Sequence, residues 1–324
     1  MTPEKVDHRG FLAALVSDGT PLLFLTGLAL LFSGLFALFL AVTGHFLPHD
    51  VAFLEMSPEK LCTINECRIV HFMIHDRVSF GGALIALGLL YLWLVEFPLR
   101  QGYFWAWLLL VLSGILGFAS FLTYLGYGYL DTWHGVATLS LLPCFLLGLV
   151  LSFRTIDRLP CWKSLLQPAF LGPWRSLGGM GRACLLFASV GMVAGGATIM
   201  VVGMTCVFVT EDLAFMGITV PELEAINPRL VPLIAHDRAG FGGGVCVCGL
   251  VIGCCVWKGA PSRNLWQVLC LAGISGFGSA ILVHPAVGYN NFIHLLPAIA
   301  GAAIFGLGLL LCFKSYNPKT SSIE

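Results

Sequence analysis

The stretch His75-Asp76-Arg77-Val78-Ser79-Phe80-Gly81-Gly82 returns 161 residues later as His236-Asp237-Arg238-Ala239-Gly240-Phe241-Gly242-Gly243. Each copy opens a long apolar run, so three ionisable groups stand together where the chain enters a bilayer. Such groups are costly at membrane depth and mark functional sites there by default. Three further segments repeat in the same order. Asp50-Val51-Ala52-Phe53-Leu54 matches Asp212-Leu213-Ala214-Phe215-Met216 at an offset of 162, and Gly114 to Ser120 matches Gly273 to Ser279 at 159. Gly128-Tyr129 through His134 matches Gly288-Tyr289 through His294 at an offset of 160. Four ordered matches with so little drift identify an internal duplication.

The runs between these segments set the class. Hydrophobic residues make up 58% of the 324 positions and charged residues 10%, with a mean hydropathy of +0.90. Soluble domains carry about 25% charged residues, so the chain is a polytopic membrane protein whose first partner is the lipid bilayer. Net charge is zero, which excludes a generally basic surface and hence nucleic acid as a partner. Glu4, Lys5, Asp7, His8 and Arg9 precede the first apolar run with no small-residue cleavage site. The first span itself is therefore expected to act as the targeting signal.

Runs of roughly 20 residues, enough to cross a bilayer, fall at 21–43, 72–96, 104–126, 133–153, 182–208, 231–257, 264–284 and 291–313. With the N-terminus inside, twelve Lys and Arg lie in inner segments and five in outer ones, so both termini are expected on the cytoplasmic side. Each repeat holds an even number of spans, and both copies then share one orientation. The expected fold is all-α: eight transmembrane helices as two parallel-oriented four-helix bundles, side by side, related by a pseudo-two-fold axis along the membrane normal. Residues 1–155 form the first repeat, 156–181 an inner linker and 182–324 the second repeat. The outer loops, 44–71 and 209–230, carry Ser57-Pro58-Glu59 and Thr219-Val220-Pro221-Glu222. Their capping and early-proline chemistry predicts short helices lying on the outer face.

Four histidines occupy equivalent places, His75, His134, His236 and His294, each 20 to 22 residues before the first inner-side charge. At 1.5 Å per residue all four lie about 30 Å above the inner ring of charge, in one layer. Two histidines at equal depth on two helices of one bundle are what bis-imidazole haem ligation requires. Interfacial hydrogen bonding is the plainer reading of the same residues, and both stay open here. Consecutive helical residues point about 100° apart, so Asp76 should face a different neighbour from His75. Pseudo-symmetry then predicts reciprocal ion pairs, Asp76 with Arg238 and Asp237 with Arg77, pinning the halves together. His71 shares a stripe with His75 and Ser79 and reads either as a loop residue or as a specialisation of the first half. The paired glycines, Gly81-Gly82 and Gly242-Gly243, suit close helix contact or a flat apolar ligand.

Eight helices in two repeats, with histidines near the outer ends of spans 2, 4, 6 and 8, resemble the haem A synthase family. That family often carries a cysteine pair in its first outer loop, matched here by Cys62 and Cys67, a disulfide if the outer side is oxidising. The resemblance implies an oxidoreductase with haem b as cofactor and a haem as substrate. By position, the substrate pair is His75 with His134 and the resident pair His236 with His294, with Arg77 and Arg238 placed for haem propionates. The chain departs from the family at Phe72, where an acidic residue is usual, and at Asp76, which separates the histidine from its arginine. A second function class stands beside this one: a non-enzymatic transporter or assembly factor in which the His-Asp-Arg segments are structural pins. Cysteines inside apolar runs, such as Cys246, Cys248, Cys254 and Cys255, read as small packing residues. No phosphate loop, dinucleotide fingerprint or metalloprotease motif is present.

Overall fold

A computed structural model describes residues 10, 16–122, 129, 132–156, 161–169 and 172–316. The charged N-terminal residues on which the targeting expectation rests lie outside them. In chain order the helices are α1 (Thr20–Thr43), α2 (Pro48–Leu54), α3 (Pro58–Cys62), α4 (Arg68–Leu94), α5 (Phe104–Leu122), α6 (Thr132–Phe153) and α7 (Trp162–Leu166). They continue as α8 (Leu177–Met204), α9 (Thr210–Met216), α10 (Val220–Ile226), α11 (Leu230–Lys258), α12 (Arg263–Val287) and α13 (Phe292–Tyr316). Among the described residues there is no strand.

Seven of these helices, α1, α4, α6, α8, α11, α12 and α13, are long and apolar enough to cross a membrane. The chain is thus an all-helical integral membrane protein. The apolar part of α5 described in full, Phe104–Ala119, is shorter. The segment that follows α5, residues 123–128, lies outside the described residues.

Two helices form the interior. In α4 and α11, 72% of the apolar window is buried, against 17–22% in the other five. α4 packs against α1, α12 and α11, while α11 packs against α8, α5 and α4. The helices α5 and α12 therefore each lie on the central helix of the other sequence repeat. This corrects the expectation of two separate bundles: the repeats interleave. Small residues make the close approaches. A side-chain carbon at Gly34 would sit 2.5 Å from the Gly81 carbonyl, and one at Gly88 2.7 Å from the Gly27 carbonyl. In the second repeat Gly196 abuts the Gly242 carbonyl and Gly249 the Ser189 carbonyl. Packing of this kind drives helix association where lipid removes the hydrophobic term. Gly82, in turn, faces the Ser275 carbonyl and Ser279 of α12, which is where α12 seats on α4.

The short loop helices do not lie flat on the surface. Their starts are capped as the sequence implies: the Lys60 amide donates to Ser57 Oγ at 3.3 Å and the Thr219 amide to Glu222 Oε2 at 2.9 Å. Yet Leu54, Leu61, Met216 and Leu223 are almost wholly buried, in one cluster with Phe72, Leu233 and Tyr289. The two loops also grip each other. Asn227 Nδ2 donates to the Leu54 carbonyl at 2.7 Å, and Asn65 Nδ2 to the Met216 carbonyl at 3.0 Å. The end of the molecule carrying α2, α3, α9 and α10, called the loop end below, is therefore a packed cap. Burying the apolar faces of these helices outweighs leaving them at an interface. Cys62 and Cys67 are joined as a disulfide within this cap.

The linker docks at the opposite end. Lys258 Nζ donates to the Ser164 and Gln167 carbonyls at 2.7 and 2.8 Å, and Trp174 stacks on Trp257.

Candidate metal centre

Each arginine of the repeated motif sits between two carboxylates. Arg77 Nε donates to Asp237 at 2.8 Å, and its Nη2 lies 2.9 Å from Asp50. Arg238 Nε lies 3.2 Å from Asp76, and its Nη1 donates to Asp212 at 2.5 Å. The motif thus brings α4 and α11 together through reciprocal pairs. The second acid of each cluster, Asp50 on α2 and Asp212 on α9, comes from a loop helix and is 2% and 0% exposed. Tyr129 and Tyr289 donate to these loop acids at 2.6 and 2.8 Å. Burial, and then the neighbouring Asp212 carboxylate, push the Tyr289 phenol well above its ordinary range, so it stays a proton donor. The sequence offered Asp50 and Asp212 only as repeat markers, since nothing in a loop's composition reports its burial.

The histidines pair across the repeats. His134 Nδ1 lies 3.1 Å from His236 Nε2. His75 faces His294 at 5.6 Å between ring centres and also a residue that the duplication does not flag, His284 in the last turn of α12. The intra-repeat pairs, His75 with His134 and His236 with His294, are not the ones brought together, because α12 and α5 cross to the other repeat's central helix. The counterpart of His284 in the first repeat is Tyr124, outside the described residues. His71 lies in the first turn of α4, half-buried, so it is helical rather than a loop residue.

Around His75 the hydrogen bonds assign the tautomers. His75 Nδ1 lies 3.0 Å from Asp76 Oδ1, and His284 Nδ1 2.7 Å from the Ala280 carbonyl. Asp76 thus touches His75 as well as Arg238, against the expectation that adjacent helical residues face apart; its short side chain folds back to the ring. An ionised carboxylate and a carbonyl only accept, so each Nδ1 carries a proton, and in the neutral form of each ring Nε2 is the free acceptor. The two Nε2 atoms face each other at 3.2 Å. Two neutral rings so placed repel, and either a shared proton or a metal ion bound by both nitrogens relieves the repulsion. His294, stacked on Tyr289 at 4.6 Å, completes the group, and ligand atoms of His75, His284 and His294 all lie within 4.8 Å of one another.

The distances discriminate between ligands. Imidazoles about 2.0–2.1 Å from a tetrahedral ion hold their nitrogens about 3.3 Å apart, whereas trans ligands on one iron are about 4 Å apart. The 3.2 Å separation of His75 and His284 matches the first spacing as well as a hydrogen bond, and His294, within 4.8 Å, would have to draw closer to share an ion with them. Haem b does not fit the histidines as placed. The rings of His134 and His236 are 5.1 Å apart, with nitrogens at 3.1 Å, and His284 stands 5.5 Å from His294 beside His75. Neither pair leaves a plane for a macrocycle. Arg77 and Arg238, each held by two aspartates, are taken up before any propionate could meet them.

A tri-imidazole site braced by a carboxylate and a carbonyl has the outer-shell partners that orient metal-bound histidines. No protein-family model matches the chain, and no curated protein or solved structure does.

Proposed function

We propose that the chain is an eight-span, internally duplicated membrane metalloprotein with both termini on the inner side. His75, His284 and His294 hold a late first-row transition metal ion near the outer face. The observation that carries this reading is the convergence of three imidazoles, His75 and His284 facing through Nε2 at 3.2 Å with each Nδ1 held by an acceptor, and His294 within 4.8 Å of both. Three neutral imidazoles with no thiolate suit copper or zinc. Asp76 and Asp212 around Arg238 leave the surroundings one charge negative, which favours a bound cation. A redox role follows if the ion is copper, since three imidazoles accommodate both of its oxidation states; a zinc ion would instead polarise a bound ligand or water.

The eighth span in this reading is α5, extended by the apolar residues that follow it in sequence. The duplication is supported by matched contacts: Trp107 donates to the Leu149 carbonyl and Trp266 to the Leu309 carbonyl, at 2.8 and 3.0 Å. The structural-pin reading is absorbed here, because Asp76 braces His75 and Arg238 together.

Elemental analysis and an absorption spectrum of the purified protein test the proposal. One equivalent of copper or zinc, absent from His284→Ala, is expected. A colourless protein with equal metal in both forms would overturn it. A Soret band stoichiometric with protein would move the assignment to haem.

A further inference from the structure

The first half holds a cavity of about 300 Å³ that the metal centre does not use. It runs beside α4 from Arg77 to Tyr91, which at 1.5 Å per residue is about 21 Å. Asp50, Arg77, His134 and Asp237 line its loop end, while Leu30, Leu84, Leu87 and Leu141 line the stretch below. Three glycines, Gly240, Gly243 and Gly244, present bare backbone to it, and Phe36, Phe80 and Phe118 present rings. Phe36 is also 52% exposed on the outside of α1, so the cavity adjoins the lipid-facing surface.

The cavity arises where the pseudo-symmetry is broken. In the second half α12 closes on α4, with Gly82 against the Ser275 carbonyl. On the opposite side α5 stands off α11: a side-chain carbon added at Gly117, the counterpart of Gly276, meets nothing within 4 Å among the described residues. The gap lies beside Gly243, the counterpart of Gly82.

We propose that this cavity binds a neutral membrane quinol or quinone, its ring at the loop end and its chain directed along α4 toward lipid. Charge selects the class. Asp50 and Asp237 share the one guanidinium of Arg77, so the carboxylate of a fatty acid meets two acids already paired with that cation. Carboxylates and an imidazole can accept hydrogen bonds from the hydroxyls of a neutral quinol. Bare glycine backbone and phenylalanine rings suit a flat ring, and 300 Å³ is at the lower end of small-molecule sites, enough for a ring and the start of its chain.

The test titrates decylubiquinol, kept reduced without oxygen, and then decylubiquinone into the detergent-solubilised full chain by calorimetry, with decanoate as competitor and metal content measured alongside. Saturable binding that decanoate does not displace is expected. Gly117→Phe, which fills the cavity, should weaken it about tenfold or more while metal content is unchanged. Gly278→Phe, where added atoms also meet open space but away from the cavity, should bind as the native chain does. Partition no different from empty micelles, displacement by decanoate, or undiminished binding by folded Gly117→Phe would overturn the proposal. If Gly117→Phe does not fold, the competition on the native chain decides alone. Loss of the quinone with the metal site intact, or the reverse, separates this proposal from that for the metal centre.

Discussion

Arg77 of α4 and Asp237 of α11 meet at 2.8 Å across the boundary between the repeats, and their counterparts Arg238 and Asp76 meet at 3.2 Å. Each arginine also holds an aspartate from a loop helix. The cap at the loop end is therefore fastened to the two central helices by four carboxylates and two guanidinium groups. Removing one partner leaves a buried charge uncompensated, which costs far more than the intact pair contributes.

Charge reversal should reveal the second carboxylate. Asp76→Arg alone is expected to destabilise the protein by about 3–5 kcal/mol. Adding Arg238→Asp should give only partial recovery, because the new carboxylate would face Asp212, now 2.5 Å from Arg238. A third change, Asp212→Asn, should improve on the double variant. Thermal unfolding in detergent reads all three. Full recovery in the double variant would remove Asp212 from the cluster.

The two histidine groups should respond differently to truncation. His284→Ala and His294→Ala should each abolish stoichiometric metal, whereas His134→Ala, in the other cluster, should retain it. Asp76→Asn keeps the ligands but weakens the brace on His75 Nδ1, and metal affinity should fall about 10–100-fold. Competition with a chelator measures that change. Equal affinity in Asp76→Asn would mean that the brace serves stability only.

Much of this arrangement can be read from residues, and the rest has a physical reason for being hidden. The repeat marks the motif, Tyr129 and Tyr289 and four of the five histidines, because equivalent places keep equivalent residues. His284 has no matching histidine, since position 124 is Tyr124. Its one signal is that it closes the seventh apolar run just before Pro285. Hydropathy locates spans but not their lateral neighbours, so the crossing of α5 and α12 to the opposite central helix leaves no trace in it. That crossing decides which histidines meet. The burial of Asp50 and Asp212 is equally silent, because short amphipathic helices read alike whether they lie on a surface or plug into one.

Close backbone contact makes the central seams intolerant of size. Gly88→Leu would drive atoms into the Gly27 carbonyl and the Leu31 backbone, and Gly249→Leu into those of Ser189 and Val193. Each should cost about 1–3 kcal/mol or more by overpacking. Gly191→Leu, on the same helix as Ser189 but with nothing within 4 Å of the added carbon, is the control and should be near neutral. Thermal midpoints of the three variants check the contrast. A similar loss in Gly191→Leu would point to a general intolerance of bulk.

The end of α11 remote from the metal centre depends on Arg182. This residue is 1% exposed on α8, and its Nη2 donates to the Val256 carbonyl and, at 3.1 Å, to the Gly259 carbonyl. Carbonyls in the last turn of a helix lack intrahelical donors and carry the negative end of its dipole, so a buried cation there satisfies both needs. The first repeat has no equivalent, since the matching position is Thr20. Arg182→Met keeps most of the volume and removes the donors. It should cost about 1.5–3 kcal/mol, the range for a hydrogen bond involving a charged group, and speed amide exchange around Gly259. Arg182→Lys, with a charge but no planar fork, should recover part of the loss. Unchanged stability in Arg182→Met would mean that water or the docked linker satisfies those carbonyls equally well.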